Sequence, residues 1–435
     1  MIRKKSTYLI LVILSLFAMS NKAHAQDNLS LSEIDKLTYK YYNTQQWDNL
    51  IEIGEKALKN NVAFFYLDYR MGLAYYAKKK YRKAIPFFQK VLETTPNDLA
   101  AKEYLYYSYL FGHRYLDASN SLYKFTKEHR EKVEFHNTGN LFNSLGVEYK
   151  YYSFNDYAIS PTVSSDIVQK TRNSMNYFSI DLLNYTHKNS ILYLNLSFIN
   201  GDNSIFDEQY SHDVINEKLK QYQFYISWNK RIADGFDIKI STTYMRENLK
   251  WYYTQTVNNS SVIAYDGSTN NYVGFASIKK NIKNIDLSVG SSFSQINEEN
   301  QIQPFIALKW YPFNNDKFYT NTNISYQYNL NSENDNFIIK QSFTATINSK
   351  FNIKAFGLYG KVYNYIDNDG LSIYNNLDAI DYWYGVSANY YFSSKISLYL
   401  NYRNDGQTNT YTNTGVNTDI KYNVNSVLLG LRFNF

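Results

Sequence analysis

Over its last two thirds the chain alternates between apolar and polar positions. Leu192, Leu194, Leu196 and Phe198 are apolar, with Tyr193, Asn195 and Ser197 between them. The same pattern runs through Tyr222, Phe224, Ile226 and Trp228, through Ile285, Leu287, Val289 and Phe293, and through Ile396, Leu398, Leu400 and Tyr402. It ends in VLLGLRFNF, Val427 to Phe435. A period of two puts successive side chains on opposite faces of a strand. Fourteen such windows centre near Val147, Ile180, Leu194, Phe224, Ile240, Phe275, Val289, Ile306, Ile324, Phe343, Phe356, Val386, Leu398 and Leu429. Windows of about ten residues, in an even number, fit an antiparallel transmembrane barrel; a soluble sandwich would use shorter strands. In the last window Val427, Leu429, Leu431, Phe433 and Phe435 are expected to face lipid, with Ser426, Gly430, Arg432 and Asn434 facing the lumen.

The connections alternate in length. Lys188-Asn189, Ala233-Asp234-Gly235, Asn281 to Lys283, Phe313-Asn314-Asn315, Ser349 and Ser393-Ser394 read as tight turns. A connection through Pro161, and stretches from Gly201 to Glu217, Lys250 to Ser268 and Gly406 to Thr418, read as long loops; those at Glu298 and Ser332 are shorter. Short periplasmic turns and longer outer loops produce this order in outer-membrane barrels. Both ends of a fourteen-stranded barrel then fall on the periplasmic side, with whatever precedes the first strand.

The first third has a different period. Trp47, Tyr81 and Tyr115 are 34 residues apart, as are Tyr41, Tyr75 and Tyr109; Leu50, Ala84 and Ala118; Gly54, Phe88 and Leu122; and Ala57, Val91 and Phe125. A 34-residue period in helix-forming sequence is the signature of tetratricopeptide repeats (TPRs). The middle copy carries the packing positions Gly72, Tyr75, Ala84, Phe88 and Pro96, whereas Thr38 and Tyr106 replace the glycine in the outer copies. Three repeats are expected from Leu29 to Arg130. Such repeats present a concave surface to a peptide or protein partner.

Composition narrows the class. Mean hydropathy is −0.49, too polar for a bundle of membrane helices. The one apolar run, Tyr8 to Met19, follows Arg3, Lys4 and Lys5 and precedes Ala23-His24-Ala25, so residues 1–25 read as a secretory signal peptide. Cleavage there would lower the net charge from +6 to +2 by removing four cations, and a nearly neutral mature chain has no basic footprint for nucleic acid. There is no cysteine, hence no disulfide and no site for a thiol-linked lipid.

Little catalytic chemistry is visible. His113, His129, His136, His187 and His212 show no metal-ligand spacing, and no glycine-rich phosphate loop follows a strand. Asp367-Asn368-Asp369-Gly370 has the alternating oxygens that open a calcium loop, but Asp-Gly is also an ordinary turn former and no bidentate glutamate follows; it and Asn404-Asp405-Gly406 are expected in outer loops. The expectation is a protein that is not an enzyme and holds no cofactor or metal. The lumen face is expected to mix Glu148, Asp181, Asp237 and Asp286 with Lys150, Lys239, Lys340, Arg403 and Arg432, among many Asn, Ser, Gln and Tyr; such walls suit a neutral polar polymer, or a hydrated or partly plugged interior.

These features resemble families that join periplasmic repeats to an outer-membrane barrel: exopolysaccharide export porins, surface lipoprotein assembly modifiers and YaiO-type barrels. The residues carrying the resemblance are the repeat positions above and the terminal Phe435, with Leu431 and Phe433 behind it. This resembles the C-terminal signal read by the barrel-assembly machinery. The resemblance implies a two-domain α + β protein: a TPR solenoid over residues 27–135 in the periplasm, then an antiparallel transmembrane barrel of about fourteen strands over residues 138–435. It implies a role in export or surface assembly of a polymer, either an exopolysaccharide or a surface protein. The implied partners are outer-membrane lipid, the assembly machinery and a periplasmic protein or cargo held by the repeats. The alternative is a structural anchor whose repeats organise a periplasmic complex.

Overall fold

A computed structural model describes residues 29–132, 142–154, 168–185, 189–207, 214–255, 260–330, 335–376, 378–413 and 416–435. The expected signal peptide, His136, His187, His212, Pro161, Lys188 and Ser332 lie outside the described residues.

The N-terminal part is helical. First helices α1 (Leu31–Asn43), α3 (Phe65–Ala77) and α5 (Leu99–Phe111) alternate with second helices α2 (Trp47–Lys59), α4 (Tyr81–Thr94) and α6 (Tyr115–Leu122); a short α7 (Lys127–Lys132) follows. Each series starts at intervals of 34 residues, so the sequence period is realised as three stacked helix pairs. The turn inside each pair repeats too. Gln45, Lys79 and His113 each adopt a left-handed conformation, at φ of 53°, 57° and 63°. The amide of the next residue then donates back to the carbonyl of Tyr41, Tyr75 or Tyr109 at 2.8–2.9 Å. A Ser30–Glu33 capping box starts α1.

One apolar core runs through the pairs and includes Leu50, Met71, Tyr75, Ala84, Phe88, Tyr106 and Leu122. Gly72 is small because its neighbour requires it: a Cβ there would stand 2.9 Å from the Phe88 ring. That ring stacks on Tyr104 with centroids 5.4 Å apart and cannot give way freely. Pro96 lies just past the end of α4.

The rest of the chain is a closed antiparallel barrel of fourteen strands. Its strands are β1 (Ser144–Phe154), β2 (Val168–Asn184), β3 (Ser190–Asp207), β4 (Val214–Ala233), β5 (Phe236–Gln255), β6 (Ser260–Ile282), β7 (Ile285–Ile296), β8 (Glu299–Trp310), β9 (Phe318–Asn329), β10 (Asn336–Asn348), β11 (Phe351–Val362), β14 (Ala379–Tyr391), β15 (Ile396–Asn413) and β16 (Val416–Asn434). All fourteen windows read from the sequence fall inside them. The remaining strands, β12 (Tyr365–Asp367) and β13 (Ser372–Tyr374), form a separate hairpin.

Closure is made by β1 against β16, from Ser144↔Asn434 to Phe154↔Val424, and the Phe435 amide donates to Asn143 O at 3.0 Å. A closed ladder leaves no unpaired edge, which a backbone in hydrocarbon requires. The outward face is apolar: Ile278, Val289, Ile306, Phe343, Val386, Leu400 and Leu429 are all exposed. Val427, Leu431, Phe433 and Phe435 share that face, whereas Ser426 is buried inward.

Three expectations about the loops need correction. The stretches Gly201 to Glu217, Lys250 to Ser268 and Gly406 to Thr418 are mostly strand, since β3 to β6 run for 18–23 residues and β15 and β16 for 18 and 19. By contrast β7, β8, β9 and β11 have 12 residues each, so one side of the barrel wall is much taller. Where a wall rises beyond hydrocarbon, its outer face need not be apolar and the alternation fades. Asn404-Asp405-Gly406 therefore belongs to β15, with Asp405 buried against Arg403 at 2.6 Å. Asp367 to Gly370 also departs from expectation, because it lies inside the barrel.

Candidate functional site

The site begins at the short-turn end, where the helices sit on the barrel. Arg82, at the second position of α4, reaches into the β6–β7 turn. Its Nε donates to Lys283 O at 2.7 Å, Nη1 to Gly112 O at 2.8 Å and Nη2 to the Asp286 carboxylate. The guanidinium lies 4.3 Å from the centre of the Tyr311 ring. Beside it the Arg82 amide donates to Asn314 O at 3.0 Å, and Asn315 Nδ2 to Lys79 O at 2.9 Å.

A second cluster joins α5 and α6 to the β4–β5 turn. Arg114 donates through Nε to Asp117 and through Nη2 to Asp234, both at 2.8 Å. Asp117 also accepts from Arg231 and from the Gly235 amide, and the Tyr109 hydroxyl donates to Asp234 at 2.9 Å. Burial pushes the Tyr109 hydroxyl well above the ordinary tyrosine range, so it stays a donor. Between the clusters His113 packs against the rings of Tyr115, Tyr311 and Tyr319, at centroid distances of 4.7, 5.8 and 5.1 Å. Burial pushes its imidazole down to about 3, helped by the cations Lys309, Lys279 and Arg82 and opposed by Asp286.

Inside the barrel, the β11–β14 connection turns into the lumen. Its tip holds consecutive left-handed residues, Asn368, Asp369 and Gly370, at φ of 48°, 60° and 92°. Successive side chains point to opposite walls, as period two requires. Tyr365 joins Ile338, Leu358, Val362, Ile380 and Trp383; Ile366 joins Met245, Val273 and Ile296. Asp367 pairs with Lys340 of β10, and Asp369 with Lys239 of β5 at 2.6 Å. Wall glutamines satisfy the hairpin backbone: Gln223 donates to Leu371 O at 2.6 Å and Gln303 to Ile366 O at 2.7 Å. The carboxylates that resembled the start of a calcium loop are thus held by lysines.

The hairpin divides the lumen. A chamber of about 550 Å³ lies towards β14–β16 and β1–β4, and one of about 330 Å³ towards β4–β10. A third space of about 210 Å³ lies beneath His113 and Tyr115 at the short-turn mouth. Of the residues expected in the lumen, Glu148, Lys150, Asp181, Lys340, Arg403 and Arg432 line the largest chamber, while Asp237 and Lys239 line the second. Asp286 lines the space at the mouth. The repeat residues Gly72, Tyr75, Ala84 and Phe88 are buried within the helices, away from the lumen. Leu431, Phe433 and Phe435 are on the outer face near the closing seam.

Neither the docking arginines nor the inward hairpin was singled out by sequence reading. The hairpin had one signal: apolar Tyr365, Ile366, Ile373 and Tyr374 flank a turn in what reads as an exposed loop.

Among the described residues no helix is long and apolar enough to cross a membrane, and no group of three or more His, Asp or Glu could hold a metal ion. The strands do the crossing: a closed barrel with an apolar outer belt and a polar lumen is a transmembrane β-barrel of the outer-membrane kind.

No protein-family model matches the chain, and no curated protein sequence matches it. Similar solved structures include a FadL homologue from Pseudomonas aeruginosa, with 9% identity, 68% of this chain and 91% of that chain covered, and a TM-score of 0.44. They also include a mutant of the monoaromatic hydrocarbon channel TodX, with 7% identity, 67% and 90% covered, and a TM-score of 0.47. The outer membrane protein Omp33 of Acinetobacter baumannii matches with 9% identity, 68% and 99% covered, and a TM-score of 0.34. Likeness this distant carries no functional argument.

Proposed function

We propose that the protein is an outer-membrane conduit for export or surface assembly of a polymer, either a polysaccharide or a surface protein. In this reading the three helix pairs are tetratricopeptide repeats packed through Gly72, Tyr75, Ala84 and Phe88, with Pro96 closing the second helix of the middle pair. They stand in the periplasm as a domain over residues 27–135, and recruit cargo or a protein partner to the barrel of residues 138–435. Leu431, Phe433 and Phe435 form the signal read by the assembly machinery after export. The observation that carries the proposal is the docking of the repeats through Arg82 and Arg114 onto the turns that rim the lumen. Cargo held there meets the mouth at a high local concentration.

The test compares surface polysaccharide and surface-exposed protein in wild-type cells, cells lacking the gene, and cells making the barrel without the repeats. The proposal expects the last two to lose the same surface component. Full display by the barrel alone would remove the recruiting role.

A second reading, in which the barrel is only an anchor, is favoured by the hairpin that occupies the lumen. Planar-bilayer recordings separate the two. A conduit conducts, at least after the hairpin of residues 365–374 is removed. An anchor stays silent in both forms.

A further inference from the structure

The charges of the lumen are mixed in sequence, but the pairing in the folded barrel is unequal. Three of the four carboxylates lining the largest chamber are matched: Asp181 with Arg432 at 2.8 Å, Asp405 with Arg403 at 2.6 Å, and Asp367 with Lys340. Glu148 is the fourth. Against it stand three further cations on the same lining, Lys150, Arg172 and Lys354. None of these has an ion pair among the described residues. Arg172 donates only to neutral groups, Asn203 Oδ1 at 3.1 Å and Met175 Sδ at 3.3 Å. Lys150 and Lys354 stand over the rings of Tyr152 and Phe356, at 4.3 and 5.7 Å from the centroids. The second chamber has the same bias: Asp237 is paired with Lys279, Asp369 with Lys239, and Lys309 is left over.

We infer that the two chambers form a site for anionic solutes, and that the cargo of the proposed conduit carries carboxylate or phosphate groups. The inference rests on the conduit reading and replaces the neutral polymer with an acidic one. Excess cations in a low-dielectric wall raise the local concentration of anions and lower the barrier to their passage. The flanking rings give each lysine an apolar neighbour, a setting that suits the carboxylate and the ring face of an acidic sugar. Matched pairs such as Asp181–Arg432 contribute little net field, so the selectivity depends on the unmatched residues.

The experiment uses the full-length purified protein in planar bilayers at neutral pH under a potassium chloride gradient. The reversal potential is expected to show chloride passing more readily than potassium. Lys150→Gln and Lys354→Gln should each move the permeability ratio towards one, and the pair together further. Glu148→Gln should move it the other way, which a general loss of folding would not do. Trigalacturonate is expected to reduce the current at concentrations where maltotriose does not. If the wild type is silent, the same series is run in a form lacking residues 365–374 and carrying Lys239→Gln and Lys340→Gln, which keeps the charge balance of the lumen. Current that prefers potassium, or a ratio unmoved by all three substitutions, overturns the inference and leaves the conduit standing. Silence of both forms overturns the conduit, and the inference with it.

Discussion

The Arg82 guanidinium of the second helix pair is ion-paired with the carboxylate of Asp286 in the barrel wall, 204 residues further along the chain. Only 1% and 6% of the two side chains are exposed. Such a pair stabilises little relative to an apolar contact, but each partner depends on the other: removing one strands a buried charge. Arg82→Ala should therefore cost about 3–5 kcal/mol of docking stability. Arg82→Lys should recover only part, because one ammonium cannot reach Asp286 and the carbonyls of Lys283 and Gly112 together. Limited proteolysis provides the readout. The variant should release the helices while the barrel stays heat-modifiable on a gel, whereas wild type should resist. Equal resistance of both would mean that the ion pair does not hold the two parts together.

His113 predicts how that docking depends on pH. The docked imidazole is pushed from an ordinary 6.5 down to about 3 by burial and by Lys309, Lys279 and Arg82. Above the ordinary value it is neutral in both states and has no effect. As pH falls below it, the undocked state binds a proton and the docked state does not, so docking weakens by up to about 1.4 kcal/mol per pH unit. Between pH 6.5 and 5, above the usual carboxylate range, the protease resistance of wild type should fall. His113→Asn keeps a residue suited to the left-handed turn and removes the titrating ring. It should flatten the dependence over that window. A profile as steep as wild type would place the pH sensitivity elsewhere.

What could be read from sequence follows from what repeats in it. The helix pairs were legible because Tyr41, Tyr75 and Tyr109, whose carbonyls each accept the amide that closes the turn inside a pair, occupy equivalent places at a fixed period. The strands were legible wherever lipid demands an apolar residue at alternate positions, as from Leu429 to Phe435. Beyond lipid the demand ends, and the extensions of β3 to β6 read as loops. Arg82 and Asp286 have no signature at all, since an arginine at a helix start is ordinary until its partner is known. The hairpin was hidden for a related reason: Asp367 and Asp369 look like turn residues for water, and only Lys340 and Lys239 on distant strands show that they face inward.

The lipid-facing assignment of β16 is tested by a pair of adjacent residues. Leu429 is half exposed on the outer face, and Gly430 faces Glu148 in the lumen, where a Cβ would stand 3.1 Å from Glu148 Cγ. Leu429→Arg should destabilise the inserted barrel by about 2–4 kcal/mol, the range for a cation near mid-membrane on the lipid face. Gly430→Arg should cost less, because it crowds Glu148 but brings it an opposite charge. Denaturant unfolding in lipid vesicles orders the two, and the reverse order would invert the two faces of the strand.

The last prediction concerns what holds the hairpin in the lumen. Lys340 pairs with Asp367, and Lys239 with Asp369, from opposite walls. Tyr365 and Ile366 are buried on either side and would resist withdrawal without either ion pair. Lys340→Met leaves the Asp367 carboxylate, itself 8% exposed, facing an apolar neighbour. Burial without a partner is costly, and the hairpin can relieve it by moving towards water. Lys340→Met should therefore raise the frequency of open events in bilayer recordings. Adding Asp367→Asn removes the stranded charge while Tyr365 and Ile366 still pack, and should return the recordings towards wild type. Rescue by the second substitution is the informative result, because a simple widening of the lumen by the shorter side chains would not be reversed by it. If both forms opened equally often, the apolar packing alone would set the position of the hairpin, and the ion pairs would have no part in closing the pore.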